Sequence, residues 1–443
     1  MSTQAKTKKL DLATLIFIAT GQVIGAGVVT VIGPAISATG NSAWLSYGAA
    51  VLLGFLTIIP YVFLSSALIL KGGEYTIATS MLGKLVGGIY VSTYITQCLS
   101  LGLMGTSMGT YVNSLFPQVN VRLVAILTVS FFFACNLCGV NMMAKVQKFL
   151  TYFLVFALIA FGVIGLLHVR TGFFSVSNPE FMTNGLKGFF DAMVMLSYST
   201  VGQYSIINFA SDAENPKRDI PRAIIVTSCV IAVVYMLVGI AATGVLPLET
   251  VAGKPLTLVA KELLPGPLFG VFIVLGPIFA LASTLNSSFP VRARPLLRGA
   301  QDGWFPDVIG KTNKHGAPVV IMGAIYVVGI LPILLNFNIK TITNNVVLIG
   351  YISRLLLVAA AFLLPTRYKE AWEKSTMHIP NPLYYLIVTV GFLAQFWLIY
   401  LSARNLTPTI VTVTVIVILI GSVYAYFRNK SGKVHTDSVT DIA

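Results

Sequence analysis

Residues Gly21-Gln22-Val23-Ile24-Gly25-Ala26-Gly27 lie inside the first long apolar segment of the chain. Three glycines in seven residues weaken a helix where a membrane requires one intact. Unwound backbone at bilayer depth is tolerated only where it is buried in protein or lines a cavity. Transport proteins build substrate sites from such breaks. Close helix–helix packing through small residues is the competing explanation, because it also favours glycine.

Composition sets the surroundings of that stretch. The chain has 443 residues, 56% hydrophobic and 10% charged, with a mean hydropathy of +0.85. A soluble domain carries about 25% charged residues. Apolar runs of roughly eighteen residues or more, long enough to cross a bilayer core, recur along the whole length. The pattern predicts a polytopic helical membrane protein with no sizeable soluble domain. The first run follows Lys8 and Lys9 but exceeds the apolar core of a signal peptide and lacks an obvious cleavage site, so it is expected to be retained.

Twelve spans are expected, over 11–37, 43–70, 84–115, 121–140, 146–168, 185–210, 221–246, 267–298, 318–336, 341–364, 381–403 and 408–427. Charge placement orients them. With both termini cytoplasmic, inner segments hold 21 of the 29 basic residues and outer segments hold seven, while Arg354 falls within the tenth span. This is the positive-inside pattern. The net charge of +14 then reports topology and contact with anionic lipid. The basic residues are scattered over loops, which argues against nucleic acid.

Cys98, Cys135, Cys138 and Cys229 all lie in apolar spans. Cys135 and Cys138 have a metal-like spacing, but no second pair or suitable histidine accompanies them, so no metal centre is expected. No nucleophile–base pair is apparent, and an enzyme is not expected.

The sixth span carries Ser197-Tyr198-Ser199-Thr200-Val201-Gly202-Gln203-Tyr204 halfway through an apolar helix. Small hydroxyl residues can re-satisfy backbone groups freed by a break. A polar helix–helix seam is the alternative. Two interruptions five spans apart match two inverted five-span repeats with a site at their interface. A broken helix frees N–H groups where its second half starts and C=O groups where its first half ends. The first bind carboxylates and the second bind ammonium groups. Two such helices packed antiparallel can grip both ends of an α-amino acid. Ala26, Gly27 and Val28 would offer amides, with Gly25 and Gly202 allowing close approach; carbonyls near Val23, Ile24, Tyr198 and Ser199 would take the ammonium. Thr200 belongs to the same patch. With essentially no Asp, Glu or Lys in the span centres, and so no acid to meet a cationic side chain, small or medium neutral substrates are expected. Gln97, Ser100, Leu101, Met104, Gln203, Tyr204, Asn286, Asn344, Asn345 and Tyr351 are candidates for the side-chain pocket.

These residues carry a resemblance. The chain is similar to the amino acid–polyamine–organocation superfamily, and within it to bacterial relatives of the L-type amino acid transporters. It matches in the Gly25-Ala26-Gly27 break, in Gly72-Gly73-Glu74-Tyr75, in Glu214-Asn215-Pro216-Lys217-Arg218-Asp219-Ile220-Pro221-Arg222-Ala223, and in the stretch from Arg294 to Asp302-Gly303-Trp304-Phe305-Pro306. The resemblance implies an all-α, leucine-transporter-type fold and alternating access. Its repeats would cover 11–168 and 185–364, followed by two peripheral helices over 381–427 and flanked by tails 1–10 and 428–443.

The resemblance also bears on coupling. Ala280, Ser283 and Thr284 share one helical face. In sodium-coupled carriers of this fold such a face completes a sodium site with carbonyls matching Gly21 and Ile24, and oxygen ligands suit a hard cation. Many sodium-independent relatives place a lysine there from span 5; here that position falls on Leu154. Sodium-independent exchange or facilitated transport is expected, with sodium symport and a cationic amino acid or polyamine carrier as alternatives. Tyr235 would reach the substrate from behind, as similar exchangers imply. By charge and position alone, Glu214 or Asp219 would either latch Arg294 or Arg298 at an inner gate or remain ordinary solvated loop charges. Animal relatives pair with a single-span glycoprotein, but no outer-loop cysteine is available to bond one, and no obligate protein partner is expected.

Overall fold

Asp11 starts the first helix by capping it, its carboxylate accepting from the Thr14 amide at 2.9 Å, which satisfies a donor that the helix itself leaves free. The computed structural model describes residues 9–25, 27–28, 31–197, 199–335, 339–403 and 408–436, with side chains for all of these but 114, 339–348, 402 and 410. Ala26 and Tyr198, and the side chains of Asn344 and Asn345, lie outside the described residues.

In chain order the principal helices are α1 (Leu12–Val23), α2 (Ile32–Thr39), α3 (Ala43–Ala67), α4 (Glu74–Leu82), α5 (Lys84–Tyr94), α6 (Ser100–Leu115), α7 (Val121–Leu137) and α8 (Val140–Leu167). They continue with α9 (Gly185–Ser197), α10 (Pro216–Gly244), α11 (Gly266–Ile273), α12 (Phe279–Gln301), α13 (Val319–Leu334), α14 (Ile339–Ala361), α15 (Asn381–Ala403) and α16 (Pro408–Lys430). Short helical turns join them. No strand occurs among the described residues, apart from one isolated parallel bridge between Leu10 and Ala213.

Six helical stretches are long and apolar enough to cross a membrane, and four shorter apolar helices accompany them. The expected spans depart from unbroken helices for local reasons. The 84–115 segment tightens to a 3₁₀ turn over Ile95–Leu99. The 267–298 segment widens to a π turn over Val274–Ile278, which contains Pro277; proline supplies no N–H to the helical ladder. The 11–37 and 185–210 segments break outright.

Large apolar side chains such as Phe131, Phe156, Leu393 and Phe427 stand exposed, as a lipid-facing exterior requires. Inside, one apolar cluster surrounds the first half of α1 with Leu15, Ile18 and Tyr61. A second surrounds the break with Ile24, Val28, Tyr47, Leu154, Tyr235 and Ala280.

The short polar motifs meet one another in space. Tyr75 donates from its hydroxyl to Asp302 at 2.9 Å and accepts from the Trp304 indole at 2.9 Å, while Arg298 pairs with Asp302 at 3.2 Å. Gly73 has φ +60°, and a Cβ there would stand 1.7 Å from Oδ1 of Asn208. Backbone strain and lack of space both demand glycine at that position.

Candidate functional site

The first break is built from main-chain bonds. The Ile24 amide still reaches Thr20 O at 2.9 Å, but the Gly25 amide turns back to Val23 O at 2.9 Å. Ile24 has φ −75° and ψ 86°, the geometry of an inverse γ-turn. The helix resumes beyond it, with the Val31 amide on Gly27 O at 3.0 Å.

The second break follows α9. The Ser199 and Thr200 amides reach Leu196 O and Ser197 O at 3.0 and 3.2 Å. The chain then runs non-helically through Val201 and Gly202 before a 3₁₀ helix over Gln203–Phe209. The Gly202 amide is satisfied by the Gln203 side chain at 2.9 Å, so local side chains replace the lost ladder.

The two breaks touch. A Cβ on Gly27 would stand 2.5 Å from Ser199 Cβ and 3.2 Å from its Cα. The buried Tyr235 hydroxyl lies 3.0 Å from Ser199 O and 3.4 Å from Val23 O, the two carbonyls at the ends of the first half-helices. Tyr47 supports it, bonding Ser199 Oγ at 3.1 Å and holding its ring 4.7 Å from that of Tyr235.

A cavity of about 810 Å³ opens between these elements and includes Val23, Gly25, Gly27, Ser199 and Gly202 in its wall. Gln97, Ser100, Met104, Tyr204 and Tyr351 also line it, as the polar pattern anticipates. Other expected positions do not face it. The Thr200 hydroxyl turns to Ala50 O and Ser197 O. The Gln203 amide bonds Ser228, and Asn286 joins α12 to Met143 O and Gln147 on α8. Leu101 packs in the apolar core. Ile24 and Val28 are fully buried in the second cluster, which leaves them only main-chain roles.

Among the wall residues outside the expected set are the charged Glu74, Arg292 and Arg354 and the phenol of Tyr94. The expectation of neutral substrates assumed no acid near the site, and Glu74 corrects that premise. It is buried, and its Oε2 lies 3.4 Å from both Tyr94 Oη and Asn208 Nδ2. Burial pushes its carboxyl above the usual carboxylate range, against the opposing pull of Asn208 and Arg354. Arg292 lies on α12, inside the expected 267–298 span, where Thr284, Ser288 and Arg292 recur at the four-residue spacing of one helical face.

The oxygens of the expected sodium site do converge. Thr284 Oγ1 donates to Gly21 O at 2.9 Å and Ala280 O at 3.0 Å, and Ser283 Oγ lies 3.3 and 3.0 Å from the same carbonyls. No contact brings Ile24 O into this set among the described residues. Leu154 packs nearby with Ile24 and Ala280. A Cβ on Gly21 would meet Gln147 Nε2 at 2.0 Å and Thr151 Oγ1 at 2.6 Å, so polar side chains of α8 fill the space beside the break.

The inner latch differs from expectation. Arg294 pairs with Asp212 at 2.6 Å and stacks 3.9 Å from the Phe209 ring. Asp219 pairs with its neighbour Arg218 at 2.8 Å, and no ion pair of Glu214 occurs among the described residues. Asp212 lies closer to the second break, and its backbone is held by the Leu10 amide at 2.8 Å.

The amino acid permease family model matches residues 10–426. An uncharacterised protein of Methanocaldococcus jannaschii is 24% identical over 69% of this chain and 71% of its own length. The branched-chain amino acid permease of Bacillus subtilis is 21% identical over 71% of each. The human large neutral amino acids transporter small subunit 2 is 22% identical over 96% of this chain and 80% of its own length.

Proposed function

Because the chain belongs to the amino acid permease family, we propose that it is a secondary transporter that carries L-amino acids across the cell membrane by alternating access. It is an integral multi-pass membrane protein of a permease family, not an enzyme. The proposal includes twelve spans, both termini cytoplasmic, and inverted repeats over 11–168 and 185–364 with spans 11 and 12 peripheral. The basic bias of the inner segments supports the cytoplasmic placement of the termini, and the cell membrane as location is part of the proposal.

One observation carries the substrate site: the paired breaks meet at Gly27 and Ser199, with Tyr235 reaching the end carbonyls of both first halves. The amides of Gly27 and Val28, with Ala26, would take the α-carboxylate. The carbonyls of Val23 and Ser199, with Ile24 and Tyr198, would take the α-ammonium; Ser199 O keeps a second lone pair beyond the Tyr235 bond, whereas Val23 O also accepts from the Gly25 amide and would exchange one of these bonds for the ammonium. This main-chain grip is indifferent to the side chain. The names of two relatives, a branched-chain permease and a large neutral amino acids transporter, favour amino acids as a class. A cationic or polyamine substrate is disfavoured, since the wall carries two arginines against one acid.

For coupling we favour sodium-independent exchange or facilitated transport. The Ser283 and Thr284 hydroxyls donate to the Gly21 and Ala280 carbonyls, so the groups of the expected cation site already bind one another. Sodium symport is the second reading, since these groups share one place. Action without an obligate partner is part of the proposal. The test is uptake of a panel of labelled L-amino acids into proteoliposomes, with and without internal substrate and a sodium gradient. Stimulation by internal substrate alone fits exchange, and uptake down a gradient without it fits facilitated transport. Uptake only with sodium would reject both.

A further inference from the structure

Arg354 is 8% exposed and belongs to the cavity wall. Its guanidinium carbon lies 4.8 Å from the Tyr204 ring centre and 5.1 Å from that of Tyr351, an aromatic setting that favours a cation. Beyond the Tyr204 hydroxyl, which also bonds the guanidinium, its Nε and Nη1 have no hydrogen-bond acceptor among the described residues. Arginine keeps its charge in any protein setting, and a buried charge without an anionic partner carries a heavy desolvation penalty.

The acid in the same cavity does not fill that role. Glu74 directs Oε2 toward Tyr94 and Asn208, and no ion pair joins it to Arg354 among the described residues. Arg292 is committed differently, with Nη2 on Ser100 at 2.8 Å and Nη1 on Ser288 O at 3.3 Å. The wall therefore carries one net positive charge with Glu74 ionised and two with it protonated.

We propose that Arg354 receives the side-chain carboxylate of an acidic L-amino acid, with Arg292 reinforcing the positive field. This rests on the amino-acid reading above. The breaks hold the α-ammonium and α-carboxylate and leave one carboxylate over, which the planar guanidinium fork meets with its free donors. An aliphatic side chain leaves Arg354 desolvated and unpaired. A basic side chain adds repulsion. An amide supplies one neutral acceptor in place of a charged pair.

The full-length protein in proteoliposomes tests this with labelled L-glutamate and L-aspartate against L-glutamine and L-leucine. Wild-type uptake of the acidic pair is expected to exceed that of glutamine by about tenfold or more, the scale of one charge-assisted pair. Arg354→Gln is expected to lower glutamate uptake by roughly tenfold while glutamine and leucine uptake holds or rises. Arg354→Lys, which keeps the charge but not the fork, is expected to fall between. Preference of the wild type for glutamine or leucine overturns the acidic assignment and leaves amino acid transport standing; this arm needs no variant to fold. Equal loss of every substrate in a folded Arg354→Gln would assign Arg354 to the transport cycle, through a bond to Glu74 in another conformation, and also overturns the proposal. Uptake of no amino acid at all would instead remove the reading on which it rests.

Discussion

The Tyr235 hydroxyl sits 3.0 Å from the Ser199 carbonyl, so a side chain of α10 holds the end of the broken sixth span at the point where the first span also breaks. Tyr235→Phe removes that bond and leaves a buried carbonyl short of a donor. We expect a loss of about 1–2 kcal/mol in stability and a several-fold fall in uptake. Thermal unfolding in detergent, with and without substrate, checks both, and an unchanged midpoint would remove Tyr235 from the account.

Asp212 and Arg294 join the segment after the second break to α12. The Leu10 and Glu214 amides are paired across the same junction. In Arg294→Gln this inner closure should loosen by roughly 1–3 kcal/mol, between the values for exposed pairs and for buried pairs broken on one side. Amide hydrogen exchange at Leu10 and Glu214 should then accelerate about tenfold or more. Glu214→Gln should leave exchange at both amides as it is in the wild type.

Replacing external sodium with choline should leave uptake unchanged. Thr284→Ala should cost about 1 kcal/mol of stability through the lost bond to Gly21 O, without introducing any sodium dependence. Sodium-stimulated uptake that Thr284→Ala abolishes would show that the Ser283 and Thr284 hydroxyls serve a cation instead.

Tyr75 accepts from Trp304 and donates to Asp302. Tyr75→Phe breaks the donation to Asp302 and leaves the Trp304 indole without its acceptor, so a destabilisation of about 1–3 kcal/mol is expected. Differential scanning measurements on the purified protein check this. Tyr368→Phe, at a half-buried tyrosine whose hydroxyl makes no hydrogen bond among the described residues, is the control.

Much of this site is legible before any coordinates. The glycines at 25 and 27 and the hydroxyl patch at 197–200 point to breaks, because glycine weakens a helix and small hydroxyls re-satisfy freed backbone groups. Two short motifs, at 72–75 and 302–306, are also visible, but their mutual contact is a tertiary fact that no local pattern encodes. Glu74 escapes because it follows a span by a few residues and is carried inward by the turn at Gly72 and Gly73. Arg292 escapes because a charge near the end of an apolar run looks like the membrane boundary, while here α12 continues to Gln301. Asp212 escapes as latch partner because Glu214 and Asp219 sit in the more conspicuous charged run.

The central claim is that the two breaks are pressed together and grip the substrate with main-chain groups. Gly27→Ala adds a methyl that would stand 2.5 Å from Ser199 Cβ, and Ser199→Gly removes the atom it meets. Binding of the best-transported L-amino acid, measured by calorimetry on folded protein, tests this directly. Gly27→Ala should weaken affinity about tenfold or more, and adding Ser199→Gly should restore part of it. Wild-type affinity in Gly27→Ala, or a double variant no better than the single one, would contradict the account.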